Sequence, residues 1–159
     1  MQHIQIVAMG KCKESYLRQG CAEYQKRLQA YCNLDMIELQ PAPLPQHPSE
    51  ATVRQALDKE AEQMLPHLRG YCVALCVEGK PLSSEALAQT IDNVARYRDN
   101  GEMTFCIGSS YGLSNDVKRR ADLRLSMSTM TFPHQLARLM LLEQIYRSYG
   151  ILSGSAYHK

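Results

Sequence analysis

The chain has 159 residues, 45% of them hydrophobic, with 18 Lys and Arg against 16 Asp and Glu and a net charge of +2. That suits one domain spanning 1–159 with a sizeable core, and the charge alone is too small to declare a polyanionic partner. No run of about 18 apolar residues exists and no basic-then-apolar leader precedes Ile4, so neither a membrane span nor a secretory signal is expected, and the expected location is cytoplasmic.

In chain order, Ile4–Ala8 reads as a strand closed by Gly10, and Glu14–Ala30 as a helix with Tyr16, Leu17, Ala22, Tyr24 and Leu28 among its apolar positions. Leu34–Leu39 is the next strand. Four prolines between Gln40 and Pro48 withdraw donors and favour extended neighbours, so that segment is a surface loop. Ser49 caps a helix running to about Leu65, with Glu60 and Glu62 on its exposed side. Tyr71–Val77 is a continuous apolar strand of the kind covered on both faces, followed by a turn at Glu78–Leu82 and a helix from Ser83 or Ser84 to about Arg98. Met103–Ile107 is a β-favouring run that stops at the small-residue loop Gly108–Gly112. A short helix, a strand at Leu123–Ser128 and the segment Thr129–Phe132 lead to a long helix opened by Pro133. Its apolar positions repeat from Leu136 to Tyr149, and Gly150 supplies the stop. The alternation β-α-β-α-β-α-β-α-β-α implies an α/β fold: a mainly parallel sheet between helices, with ligands outside the carboxyl ends of the strands. Three strand ends qualify, at Leu75–Lys80, Ile107–Gly112 and Met127–Phe132.

The six cysteines, at 12, 21, 32, 72, 76 and 106, contain no C-x-x-C pair. Reduced thiols are expected, and a metal site is not. Neither a G-x-G-x-x-G fingerprint nor a P-loop is present, and the spacing Gly108-x-x-x-Gly112 alone also fits an ordinary turn. Charge is unevenly spread: residues 115–159 carry seven Lys/Arg against three acids, a balance of +4, while residues 1–114 balance at −2. Basic charge therefore gathers with the proposed site, as a phosphate-bearing substrate requires, although Lys118-Arg119-Arg120 also fits a solvated helix face.

Four segments together resemble the RlmH family, bacterial large-subunit rRNA pseudouridine methyltransferases of the SPOUT, or trefoil-knot, class. They are Phe105-Cys-Ile-Gly-Ser-Ser-Tyr-Gly112, Ser126-Met-Ser-Thr-Met-Thr-Phe-Pro-His-Gln135, Glu143-Gln-Ile-Tyr-Arg147 and the ending Gly154-Ser-Ala-Tyr-His-Lys159. The resemblance covers the whole chain, with one departure: Ser109 stands where the family usually has a second glycine. It implies a C-terminal trefoil knot, S-adenosylmethionine as cofactor, and a cofactor site lined by Leu75, Gly108 and Met127, Ser128, Thr129, Met130, Thr131 and Phe132. It also implies methyl transfer to N3 of a pseudouridine in 23S rRNA within the assembled ribosome.

For that chemistry the N3 imide must lose its proton. His158 and Glu143 are the candidates to assist, Arg138 or Arg147 to stabilise the developing anion, and Tyr157 to stack on the base. Each also has a structural explanation. Glu143 and Arg147 form an i,i+4 pair, Arg138 can snorkel, His134 can be a polar first-turn residue, and Tyr157–Lys159 can fray. No RNA-binding module is appended, so a homodimer is expected, each site borrowing residues from the other chain. A SPOUT methyltransferase acting on tRNA and a non-catalytic flavodoxin-like nucleotide-binding module are the alternatives.

Overall fold

A computed structural model describes residues 1–159. The strands are β1 (Gln2–Met9), β2 (Cys32–Leu39), β3 (Tyr71–Pro81), β4 (Met103–Ile107) and β5 (Leu123–Ser126), and the helices are α1 (Ser15–Leu28), α2 (Glu50–Met64), α3 (Ser84–Tyr97), α4 (Asn115–Arg120) and α5 (His134–Ser153). All five strands run parallel in one sheet of order β2-β1-β4-β3-β5. Their apolar runs are continuous because both faces are covered. Ile4, Ile6 and Ala8 join Phe105, Cys21, Ile91, Leu142 and Ile145 on the side of α1, α3 and α5. Val7 and Met9 join Ala61, Met64, Cys106 and Val117 on the side of α2 and α4.

The strand order decides where a ligand can sit. β4, β3 and β5 are immediate neighbours, so the three loops at their carboxyl ends lie side by side. A flavodoxin-like sheet has the order 2-1-3-4-5, whereas here β4 lies inside β3, and that alternative is corrected.

Four local expectations change. The turn expected at Glu78–Leu82 is instead a bulged continuation of β3, whose pairing with β5 jumps from Leu75 to Lys80, both opposite Leu125. Gly79 permits it, since a Cβ there would lie 2.7 Å from the Arg124 carbonyl. The last helix does not stop at Gly150. Gly150 is buried beneath the returning chain, where a Cβ would lie 2.9 Å from Ser155 Oγ, and termination falls to Gly154, left-handed at φ 72°. Pro133 is the N-cap rather than the first helical residue, and Ser49, Ser83 and Ser114 each cap their helices by accepting a backbone N–H. Glu60 is not on an exposed face; it is 5% exposed, while Glu62 is exposed as expected.

The six cysteines are free thiols, and burial pushes those of Cys106 and Cys21 up to about 12, so they behave as small apolar groups. No helix is long and apolar enough to cross a membrane.

Candidate functional site

The carboxyl ends of β3, β4 and β5, together with the start of α5, enclose a cleft of about 310 Å³. Leu75, Ile107, Leu113 and Leu125 give it an apolar floor, and the loops Gly108–Gly112 and Met127–Thr131 form its walls. Its walls are irregular loops, whose backbone N–H and C=O groups are free of strand pairing and suit recognition of a ligand by main-chain hydrogen bonds. Gly108 is where this first loop closes most tightly on itself: a Cβ there would overlap the Gly112 carbonyl and lie 2.9 Å from the Leu113 nitrogen. Its φ is ordinary, so the requirement is for space and not for a left-handed backbone. On the opposite wall, Ser126 Oγ donates to the Ser128 carbonyl at 3.0 Å and Ser128 Oγ accepts from Met130 N at 3.0 Å, which ends β5 and folds the loop back.

Behind the first wall stands the buried Glu60. Its carboxylate accepts from Ser109 Oγ at 2.7 Å and from Ala42 N at 2.9 Å, joining the cleft loop to the proline-rich segment. Ser109 therefore fastens the loop through its side chain. Ser109→Ala would leave a buried carboxylate short of one donor, an expected loss of about 1–3 kcal/mol. That corresponds to a Tm lower by about 3–8 °C in a chain of this size, measured by calorimetric melting. An unchanged Tm would mean that the fastening contributes nothing.

His134 lines the cleft from the first turn of α5. Burial first, then the Arg138 charge, holds its imidazole below the ordinary value, so it is neutral at physiological pH. On the outer rim Lys118 donates to Glu78 at 2.5 Å, and this bond holds the Glu78 carboxyl below its usual range.

Of the residues expected at a cofactor site, Leu75, Gly108, Met127, Ser128, Met130 and Thr131 line the cleft; Thr129 lies within the wall segment and Phe132 just after it, neither lining the cleft. None of Arg138, Glu143, Tyr157 and His158 lines it. Arg138 does not snorkel. It is 3% exposed, with its Nη2 donating to the Gly10 carbonyl at 2.8 Å and its Nη1 to Glu38 at 2.5 Å, while its Nε has no partner. It fastens the ends of β1 and β2 to α5.

The tail does not fray. Tyr157 donates to Glu143 at 3.1 Å and lies 3.2 Å from the Tyr24 hydroxyl, its ring standing edge-on to Tyr146 at 4.9 Å and beneath the Arg147 guanidinium. Burial and these two hydrogen bonds raise the Tyr157 phenol pKa, so it stays protonated as the donor to Glu143. Glu143 also takes two bonds from Arg147, at 2.6 and 2.9 Å. Arg147 Nη1 lies 3.0 Å from His158 Nδ1, and His158 Nε2 lies 2.7 Å from Glu85. An arginine can only donate and a carboxylate can only accept, so this network assigns the proton to Nε2 and a lone pair to Nδ1. Glu143, Arg147, Tyr157 and His158 thus form one cluster on α5, α1 and α3, apart from the cleft.

Sequence reasoning missed Glu60, and it treated His134 as only a polar first-turn residue. Glu60 was findable, since it lies four residues from both Ala56 and Met64, on the buried stripe of α2.

The family model described as predicted SPOUT methyltransferase matches residues 2–158. The chain is similar to two proteins named ribosomal RNA large subunit methyltransferase H, each match covering 99% of both chains. They come from Bacillus pumilus (49% identity over 159 residues) and Clostridioides difficile (48% over 159 residues). Among solved structures, a probable methylase family protein from Haemophilus influenzae overlays 98% of this chain and 70% of its own, with a TM-score of 0.55 at 13% identity, a likeness of fold.

Proposed function

Because the chain belongs to the SPOUT methyltransferase family, we propose that it uses S-adenosylmethionine to methylate N3 of a pseudouridine in large-subunit ribosomal RNA of the assembled ribosome. The observation that carries the reading is the cleft at three adjacent strand ends, closed at Gly108 to any side chain. Its size and its apolar floor between polar loop walls fit a nucleoside-sized ligand. The names of the curated relatives supply the rRNA, and the family supplies the knot expected at this end of the sheet.

When bound, S-adenosylmethionine supplies a methyl group already activated on a sulfonium. The protein's part is alignment, exclusion of water and removal of one proton. Backbone groups of Gly108 and of Met127–Phe132 would hold the adenosyl and methionine portions, and Leu75, Ile107 and Leu125 would keep the floor dry.

The proton-handling cluster would come from a second subunit. Leu136, Met140, Glu143 and Arg147 follow one another at three- and four-residue spacing along α5, so one helix face runs from the cleft end toward the tail cluster. A twin helix laid against that face would bring the tail of one subunit to the cleft of the other. Exposed Met130, Tyr111 and Val77 at the cleft rim would be covered in the same association. Tyr157 would then stack on the base, and His158 Nδ1 would accept the N3 proton once Arg147 Nη1 turns from that lone pair to the base. Arg147 would face the developing anion with Glu143 holding it in place, and Arg138 would act through the scaffold.

The test is transfer of tritiated methyl groups to ribosomes lacking their native modifications, followed by mass mapping of nucleosides. Label is expected in 3-methylpseudouridine of large-subunit RNA, and more in intact 70S particles than in naked rRNA. Label in tRNA, or equal labelling of naked rRNA, would sink the substrate reading.

A further inference from the structure

We propose that the trough beside the cleft, between the bulged end of β3, the edge strand β5 and α4, docks the phosphate backbone of the RNA strand that delivers the target nucleotide, with Lys80 and Arg124 as its two phosphate contacts. This inference rests on the reading of ribosomal RNA as substrate. The trough measures about 610 Å³ and is lined mostly by polar residues. It shares Glu78 and Lys118 with the cofactor cleft, so a strand lying along it arrives at the cleft mouth.

The uncommitted charge in the trough is positive. Lys118 is held by Glu78 and Arg119 by Asp116. Asp122 is also occupied, its carboxylate accepting from Cys72 N at 2.8 Å with Arg98 4.0 Å away. Lys80 and Arg124 remain exposed, with no carboxylate within 4.0 Å of either. They are adjacent by construction. The bulge resumes the β3–β5 pairing with Lys80 opposite Leu125, and the missing side chain of Gly79 lets β3 lie directly on the Arg124 carbonyl. Two exposed cations lining one trough, beside the mouth of a cleft, match a row of backbone phosphates better than a single anion.

Exposed cations at a sheet edge, Arg124 on β5 and Lys80 on the strand beside it, have another use, in discouraging sheet-to-sheet pairing, and the experiment separates the two. Binding of the full-length protein to 70S ribosomes would be measured by co-sedimentation across a KCl series at fixed magnesium, for wild type, K80Q/R124Q and the charge-keeping K80R/R124K. Binding of S-adenosylmethionine to each would be followed by calorimetry. The expected result for K80Q/R124Q is affinity for ribosomes lower by about 10- to 100-fold at low salt. Its slope of log affinity against log salt should be shallower by roughly 1.4 to 1.8, at about 0.7–0.9 per phosphate contact. Its cofactor affinity should be unchanged, and K80R/R124K should bind like wild type. Wild-type slope and affinity in the double glutamine variant would overturn the trough, as would aggregation of that variant with RNA binding intact. Wild-type protein that binds S-adenosylmethionine but no ribosomes at any salt would instead fail the substrate reading, and the trough with it.

Discussion

Gly108→Ala should lower affinity for S-adenosylmethionine by more than 100-fold, although it adds a single methyl group. The added carbon would sit inside the van der Waals radius of the Gly112 carbonyl, with the Leu113 nitrogen at 2.9 Å. Both neighbours are backbone, so neither can swing aside as a side-chain terminus would. Relief requires the whole Gly108–Gly112 loop to move. That loop is pinned by the Gly112 N to Ser109 O bond at 2.8 Å and by Ser109 on Glu60 at 2.7 Å. The displaced wall would be the one that holds the ligand. Gly108→Arg adds the further effect of filling the cleft. Gly112→Ala is the informative contrast: its φ of 86° is left-handed, but nothing lies within 4 Å of its Cβ position. That substitution should cost only about 1–2 kcal/mol of strain, with a correspondingly milder effect on affinity. Calorimetric titration of both variants with the cofactor, alongside their melting curves, decides the matter. Wild-type affinity in Gly108→Ala would remove the cradle from the argument.

The element order was legible because each strand is a short apolar run bounded by breakers, and because serines stand where helices begin. The neighbour order was not. Periodicity says which face of β4 is buried, but nothing about its insertion between β1 and β3, which is the fact that gathers the cleft loops. The bulge in β3 was hidden for a related reason, since Glu78-Gly-Lys-Pro81 has turn composition and only the partner strand extends the pairing through it. Glu60 and Arg138 were misplaced by residue type despite correct spacing. Both lie on buried helical stripes, Arg138 being four residues before Leu142 and seven before Ile145, and a charge on such a stripe implies a partner. Gly150 and Gly154 have opposite roles, close approach and termination, and their distinction depends on where the tail returns.

That return sets up the second large effect. Deleting Tyr157–Lys159 is expected to remove methyl transfer, by at least about 100-fold as for loss of a proton-transfer group, while leaving affinity for S-adenosylmethionine within a factor of two. The separation follows from the layout: no residue of the tail lines the cleft of its own chain, and no residue of the cleft hydrogen-bonds to the tail. The deletion also strips the edge-on Tyr146–Tyr157 pair and one donor to Glu143, so some loss of stability is expected, about 1–3 kcal/mol. His158→Gln separates chemistry from packing. A glutamine can still bond to both Arg147 and Glu85, so the cluster should hold and melting should be nearly unchanged, yet the side chain cannot take up a proton at neutral pH. Transfer falling in both variants, with cofactor binding retained, would identify the imidazole as the acting group. Mixing His158→Gln with Gly108→Arg extends the test. If each cleft is completed by the other subunit's tail, a heterodimer pairs the damaged cleft with the substituted tail and leaves the second cleft and an intact tail together. Transfer regained on mixing two inactive variants is expected from that arrangement, whereas a mixture as inactive as its parts would return the tail to its own chain.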